Sequence, residues 1–301
     1  MIEEEIKEHT SFSELRTWLE CPHLHKLVYI DKITVEEEED DSHYLDYGTI
    51  LHETIEKWLA SNVMDIDSCE KNLRSVWSER GYDSQEYIQR LARSAEEARW
   101  VYKHKNIEEH ISYARNCLSS LPEWMDEQFG DWKLVSAEER FYEPTKHVLG
   151  HSSINGVFKF KGFIDAIILS RKADKRGKVR EKYWILDWKT APPGGWSIKK
   201  QQDIKAWGQL AFYKKFWAIR ESKSIKDIGC AFVLLKKTKK TDKALTRINV
   251  SVGPKAIEKI DKKLGSFVKS QKSKLVLKNR TSCRFCDYRG TKHCNTHRFS
   301  F

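Results

Sequence analysis

The chain has 301 residues, 40% of them hydrophobic and 33% charged, with a net charge of +10. That length can bury a substantial core, and no stretch approaches the roughly 20 apolar residues that cross a bilayer. The first eight residues are acidic where a secretory signal is basic and then apolar, so a cytoplasmic protein is expected.

The charge is unevenly placed. Residues 1–150 carry 17 Lys+Arg against 33 Asp+Glu, a balance of −16, and residues 151–301 carry 37 against 11, a balance of +26. Solubility alone does not need such a split, and nucleic acid is the favoured partner of the second half. Eleven Trp and eleven Tyr offer planar faces for bases, although most aromatics serve cores. Seven cysteines, an odd number, argue against a disulfide framework. No glycine-rich phosphate loop of the NTPase kind is present.

In chain order, Ser11 and Glu14 form a capping box ahead of a helix that runs to Cys21-Pro22, where proline breaks it or starts a new turn. The acidic run Glu36–Asp41 is expected to be a solvated loop. From Gly48 to Leu59, Leu51, Ile55, Trp58 and Leu59 make a helical apolar stripe with His52 at its edge, where a packed imidazole is commoner than a ligand. Residues 66–128 carry apolar positions among many charges and are expected to form two or three helices as an insert.

From Trp132 the period changes. Residues 133–142 and 157–169 look like strands, the second opened by Asn155-Gly156, and a turn over 173–178 leads to a third strand, 183–190. Asp165 lies in an apolar strand where a free carboxylate is costly. Asp187 and Lys189 project together from the end of the next one. Taken alone that pair is a solvated charge pair. Two acids on neighbouring strands point instead to a divalent cation.

After a Pro-Pro-Gly-Gly loop, a helix over 201–219 places Gln209 and Tyr213 one turn apart, able to bond a phosphate or base or simply to pack. A buried strand over 229–235, a basic turn, a strand near 247–252 and a helix from Pro254 come next. The tail holds Cys283, Cys286 and Cys294, a strong metal-ligand spacing. A fourth ligand could be His293 or His297, giving zinc, or the distant Cys21.

Six pieces stand in one order: residues 11–22, Gly48-Thr-Ile-Leu-His52, Gly162-Phe-Ile-Asp165, Ile185-Leu-Asp-Trp-Lys-Thr190, Gln209-Leu-Ala-Phe-Tyr213 and the C-terminal cysteines. Together they resemble the RecB-like, iron–sulfur branch of the PD-(D/E)XK nuclease superfamily. Its members include nucleases of CRISPR adaptation, subunits of helicase–nucleases and phage exonucleases. The resemblance implies an α/β restriction-endonuclease-like core, a central mixed sheet flanked by helices, with a helical insert and a C-terminal cysteine cluster. One nuclease domain, 1–301, would comprise an N-terminal helix and acidic loop (1–47), a helical region (48–131), a catalytic sheet and helix (132–252) and a C-terminal helix and tail (253–301).

It also implies roles. His52, Asp165, Asp187 and the Trp188 carbonyl would hold Mg²⁺ or Mn²⁺, and Lys189 would position the attacking water. Gln209 and Tyr213 would contact DNA or orient the lysine, and Glu138 resembles a further strand acid. Cys21, Cys283, Cys286 and Cys294 would ligate a [4Fe–4S] cluster, with structural Zn²⁺ as the alternative. The expected activity is an exonuclease on single-stranded DNA or DNA ends, with a helicase, recombinase or integrase partner. The competing expectation is a non-catalytic or zinc-stabilised nucleic-acid-binding module. Ile164 stands where the superfamily has proline.

Overall fold

The computed structural model describes residues 9–34, 42–91, 106–145, 158–173, 177–273 and 276–295. The acidic run at 36–41, the Asn155-Gly156 opening, the middle of the 173–178 turn, part of the 66–128 insert and His297 lie outside those residues. No helix among the described residues is long and apolar enough to cross a membrane.

A short strand β1 (His9–Ser11) leads into α1 (Phe12–Glu20) and α2 (Pro22–His25). Ser11 caps α1 by accepting from the Glu14 amide at 3.2 Å. The Glu14 carboxylate turns inward to His25 at 3.0 Å and to Thr10 at 3.2 Å, in a buried polar cluster. Helix α3 (Ser42–Ser61) starts one and a half turns before the glycine expected to open it. The insert supplies α4 (Ile66–Arg80), α5 (Gln85–Leu91) and α6 (Ile107–Phe129). Asp65 caps α4, and Gly81 ends it in the left-handed conformation, φ 65°, that glycine adopts at least cost.

Strands β2 (Asp131–Pro144), β3 (Lys159–Ala173) and β4 (Val179–Ala191) form an antiparallel run. The expected helix over 201–219 is two, α7 (Ile198–Gln202) and α8 (Ile204–Arg220), because Asp203 breaks the first and caps the second. Then come β5 (Ile228–Lys236), β6 (Leu245–Val250) and α9 (Pro254–Ser273). β5 pairs parallel with β4, with α8 in the crossover. Its run from Ile228 to Leu235 is buried at every position, as a central strand covered on both faces must be. The expected mixed sheet between helices therefore forms. One core lies between the sheet and α3, α4 and α6, the other between the sheet and α1, α8 and α9.

Strand β3 is irregular in two respects. β2 lines one side of it throughout, so β1 and β4 must share the other. β1 pairs with Lys159–Lys161 and β4 with Ala166–Ala173, leaving Gly162–Asp165 without a strand neighbour on that side. Opposite Asp165 the β2 ladder also lapses at Glu138, whose φ of 45° lies in the left-handed region. There both strands change faces: Phe160 and Ile164 enter the α8 core, whereas Ala166 and Ile168 enter the α3 core. Each buried isoleucine contributes ~1.5–3 kcal/mol, which holds both halves of the strand in place on opposite faces.

Candidate active site

Strand β4 leaves β3 after Leu186, and the fork holds the ionisable groups. Asp187 is fully buried, and neither of its oxygens accepts a hydrogen bond of good geometry among the described residues. Its cation is Lys189, whose Nζ lies 2.6 Å from Oδ2 and whose side chain is one-third exposed. A buried carboxylate with a free oxygen is costly unless a cation completes it. Asp165 reaches across the fork, and its Oδ2 accepts the Trp188 amide at 2.8 Å, replacing a missing ladder bond. Trp188 itself turns to the other face, buried in the α3 core.

His52 enters from α3, with Nδ1 3.7 Å from Asp165 Oδ2. Burial, then Lys189, pushes its imidazole down to about 4, so at neutral pH it is uncharged and offers a lone pair. Burial and the neighbouring Asp187 carboxylate hold Asp165 well above the usual carboxylate range, against Lys189 and the Trp188 amide. Glu138 is raised by burial, then by Glu56 and Asp187. For Lys189, burial acts downward, but Asp187 and Asp165 together outweigh it and the ammonium is held more tightly. Asp165, Asp187 and Glu138 set three carboxyl groups against the one ammonium of Lys189, an arrangement suited to a divalent cation on hard oxygen donors. The donors fit such an ion, although no three His, Cys, Asp or Glu side chains among the described residues already stand as a closed ligand set.

Gln209 and Tyr213 behave differently from each other. Gln209 lines a cavity of about 420 Å³ beside Lys189 and His52, with Arg16, Trp196 and Lys200 on its walls. Tyr213 is buried; its hydroxyl accepts from Gln209 at 2.9 Å, and its ring lies against Gly162 in the unpaired stretch of β3. Gly162 makes this possible, since a Cβ there would stand 2.8 Å from the tyrosine ring. Tyr213 thus packs α8 against the fork. Arg16, Trp196 and Lys200 escaped sequence reading as site residues, although the Trp196 and Lys199-Lys200 pattern after the Pro-Pro-Gly-Gly loop was visible. Lys200 covers the Trp196 ring at 4.4 Å, and burial, then Arg16 and Lys189, lowers its pKa.

The tail folds back on the first helices. Cys21, Cys283, Cys286 and Cys294 line one small cavity of about 20 Å³ with Leu24, Leu27 and Tyr288. Asn279 donates to the Glu20 carbonyl at 2.7 Å and through its amide to Cys21 Sγ at 3.3 Å. Four thiols around one apolar cavity suit a thiolate-bound metal centre in chemistry, but as they stand they do not form a ligand set. The other three cysteines are buried, and burial pushes the Cys117 and Cys230 thiols up to about 12, as inert packing residues.

A mixed sheet that forks at two carboxylates and a lysine, with helices on both faces, defines a restriction-endonuclease-like α/β protein. The family model of the PD-(D/E)XK nuclease superfamily matches residues 9–291, and the chain belongs to that superfamily. It is thus a nuclease of a class that generally uses Mg²⁺ or Mn²⁺ and acts on DNA. No curated protein matches the chain.

Proposed function

We propose that the protein is a metal-dependent deoxyribonuclease of the RecB-like, iron–sulfur branch, acting as an exonuclease on single-stranded DNA or DNA ends. The observation that carries the catalytic part is Asp187: fully buried, with a free oxygen, and flanked by Lys189 and Asp165. His52, Asp165, Asp187 and the Trp188 carbonyl would hold Mg²⁺ or Mn²⁺. Such an ion supplies Lewis-acid polarisation of the phosphate and a more acidic bound water. Lys189 keeps its ammonium at the Asp187 edge of the fork, where it orients a water for in-line attack and balances developing negative charge. Neutral His52 offers a ring nitrogen beside Asp165, and Gln209, held by Tyr213, fixes the wall beside Lys189. The basic second half and the Arg16 and Lys200 wall support an anionic substrate.

In this reading Cys21, Cys283, Cys286 and Cys294 hold a [4Fe–4S] cluster that fastens the tail to α1 and α2. The enzyme works inside the cell in recombination, repair or CRISPR-type processing, alongside a helicase, recombinase or integrase. Digestion of 5′- and 3′-labelled single- and double-stranded DNA with Mg²⁺ or Mn²⁺, using protein purified without oxygen, tests it. Metal-dependent mononucleotide release that Asp187→Ala abolishes is expected; intact DNA in every lane overturns catalysis. A brown protein absorbing near ~400 nm supports the cluster, whereas a colourless one with stoichiometric zinc replaces it with a zinc site.

A further inference from the structure

The outer face of the β2–β3 hairpin carries a row of cations and aromatics that the site leaves unused. Register sets Arg140 opposite Phe163 and Tyr142 opposite Lys161, and ladder partners share a face. Because side chains alternate along a strand, Lys159, Lys161 and Phe163 of β3 face the same way as Arg140 and Tyr142 of β2. The opposite face sends Phe141, Phe160 and Ile164 into the α8 core. Phe163 is 55% exposed and Tyr142 40%. A large aromatic left in water two residues from Asp165, with a second beside Lys161, calls for a ligand more than an isolated surface residue does.

The charge is one-sided as well. Arg140 and Lys161 are exposed and pair with no carboxylate among the described residues. Lys159 lies over the Tyr142 ring at 4.4 Å. The acids that flank these positions on β2, Glu139 and Glu143, turn the other way to Arg220. At ~3.3 Å per residue the row spans roughly 20 Å of β3 and ends on Asp165.

We propose that this row is a track for single-stranded DNA, stacking bases on Phe163 and Tyr142 and seating phosphates on Lys159, Lys161 and Arg140. It rests on the nuclease reading, for which it names the substrate form and the line of approach. The aromatics select the single strand: a duplex offers phosphates but keeps its base faces stacked, so only unpaired bases can use Phe163 and Tyr142.

The test uses the full-length protein, fluorescein-labelled DNA and Ca²⁺ to hold off cleavage, read by anisotropy. Phe163→Ala with Tyr142→Ala should weaken binding of a single-stranded oligonucleotide tenfold or more, with a less than threefold change for blunt duplex of the same sequence. Phe163→Leu, which keeps apolar bulk without a π-face, should weaken single-strand binding severalfold. Lys159→Gln, Lys161→Gln and Arg140→Gln together should flatten the plot of log K against log salt by about 2, at ~0.7 per phosphate contact. In cleavage assays the same variants should raise KM for long single strands more than they lower kcat. Unchanged affinity and salt slope overturn the track, as do equal losses on single-stranded and duplex DNA. If the unaltered protein binds as described but cuts nothing with Mg²⁺ or Mn²⁺, the nuclease reading fails while the binding data still judge the track.

Discussion

The Trp188 amide donates to Asp165 Oδ2 at 2.8 Å, across the gap where β3 and β4 cease to pair. Asp165 is therefore a structural brace as well as a proposed ligand. Asp165→Asn keeps an acceptor for the buried amide, and Asp165→Ala does not. Both variants should lose cleavage. In urea denaturation of the metal-free protein, Ala should be less stable than Asn by ~1–3 kcal/mol, the cost of an orphaned buried donor. Equal midpoints would remove the bracing role.

Lys189 and Asp187 form the second coupled pair. Lys189→Met leaves a fully buried carboxylate without its cation. Because the lysine is one-third exposed, the loss should be ~1–3 kcal/mol, less than for a wholly buried pair. Adding Asp187→Asn should restore most of it, so a double-mutant cycle should show strong coupling. Additive effects would show that the two side chains act independently. Each single variant should lower cleavage by ~100-fold or more.

His52 sets a pH dependence. Its imidazole is lowered to about 4 from an ordinary 6.5 by burial, then by Lys189, so between those values the folded protein binds fewer protons than the unfolded chain. Its contribution is full above about 6.5 and falls away as pH drops toward 4, by at most ~3 kcal/mol. Asp165 works the opposite way: its raised pKa means stability lost as pH rises through its own range. Melting temperatures in EDTA from pH 4 to 8 should show His52→Gln flattening the acid side and Asp165→Asn gaining at neutral pH. A wild-type acid slope in His52→Gln would refute the assignment.

Gly162 and Tyr213 make a steric prediction. A methyl at 162 would stand 2.8 Å from the ring and 2.9 Å from its hydroxyl, so Gly162→Ala should cost ~1–3 kcal/mol and impair cleavage through a displaced α8. Tyr213→Leu removes the obstructing ring edge, and the double variant should be more stable than the two single losses predict. Strict additivity in thermal denaturation would mean that the alanine is accommodated elsewhere.

Much of this site was legible in the sequence, for identifiable reasons. The run ending in Asp187 and Lys189 is a short apolar, β-prone segment that closes on a charge pair two residues apart, and Asp165 stands out because an apolar strand rarely tolerates a carboxylate. The neighbours were harder. β1 has three residues, too few to show a period, and its pairing with Lys159–Lys161 spans some 150 positions. The face change at Glu138 and Asp165 breaks the alternation from which faces are inferred. The length of α3 was hidden because its first six residues, Ser-His-Tyr-Leu-Asp-Tyr, join the stripe ahead of a glycine that sequence reading takes as a start. Exposure of Phe163 and Tyr142 was invisible, since an aromatic in a strand is ordinarily taken for core.

The clasp between Asn279 and the Glu20–Cys21 corner joins positions 258 apart. In a growing chain the C-terminal end of α1 lacks this anchor until Asn279 has been made. Arg16 and Glu20, which line the cavity beside Lys189, are carried by that same helix. A nascent chain would thus hold the sheet with its carboxylates well before it could hold this wall, and synthesis of the segment that follows α9 would decide when the wall is anchored.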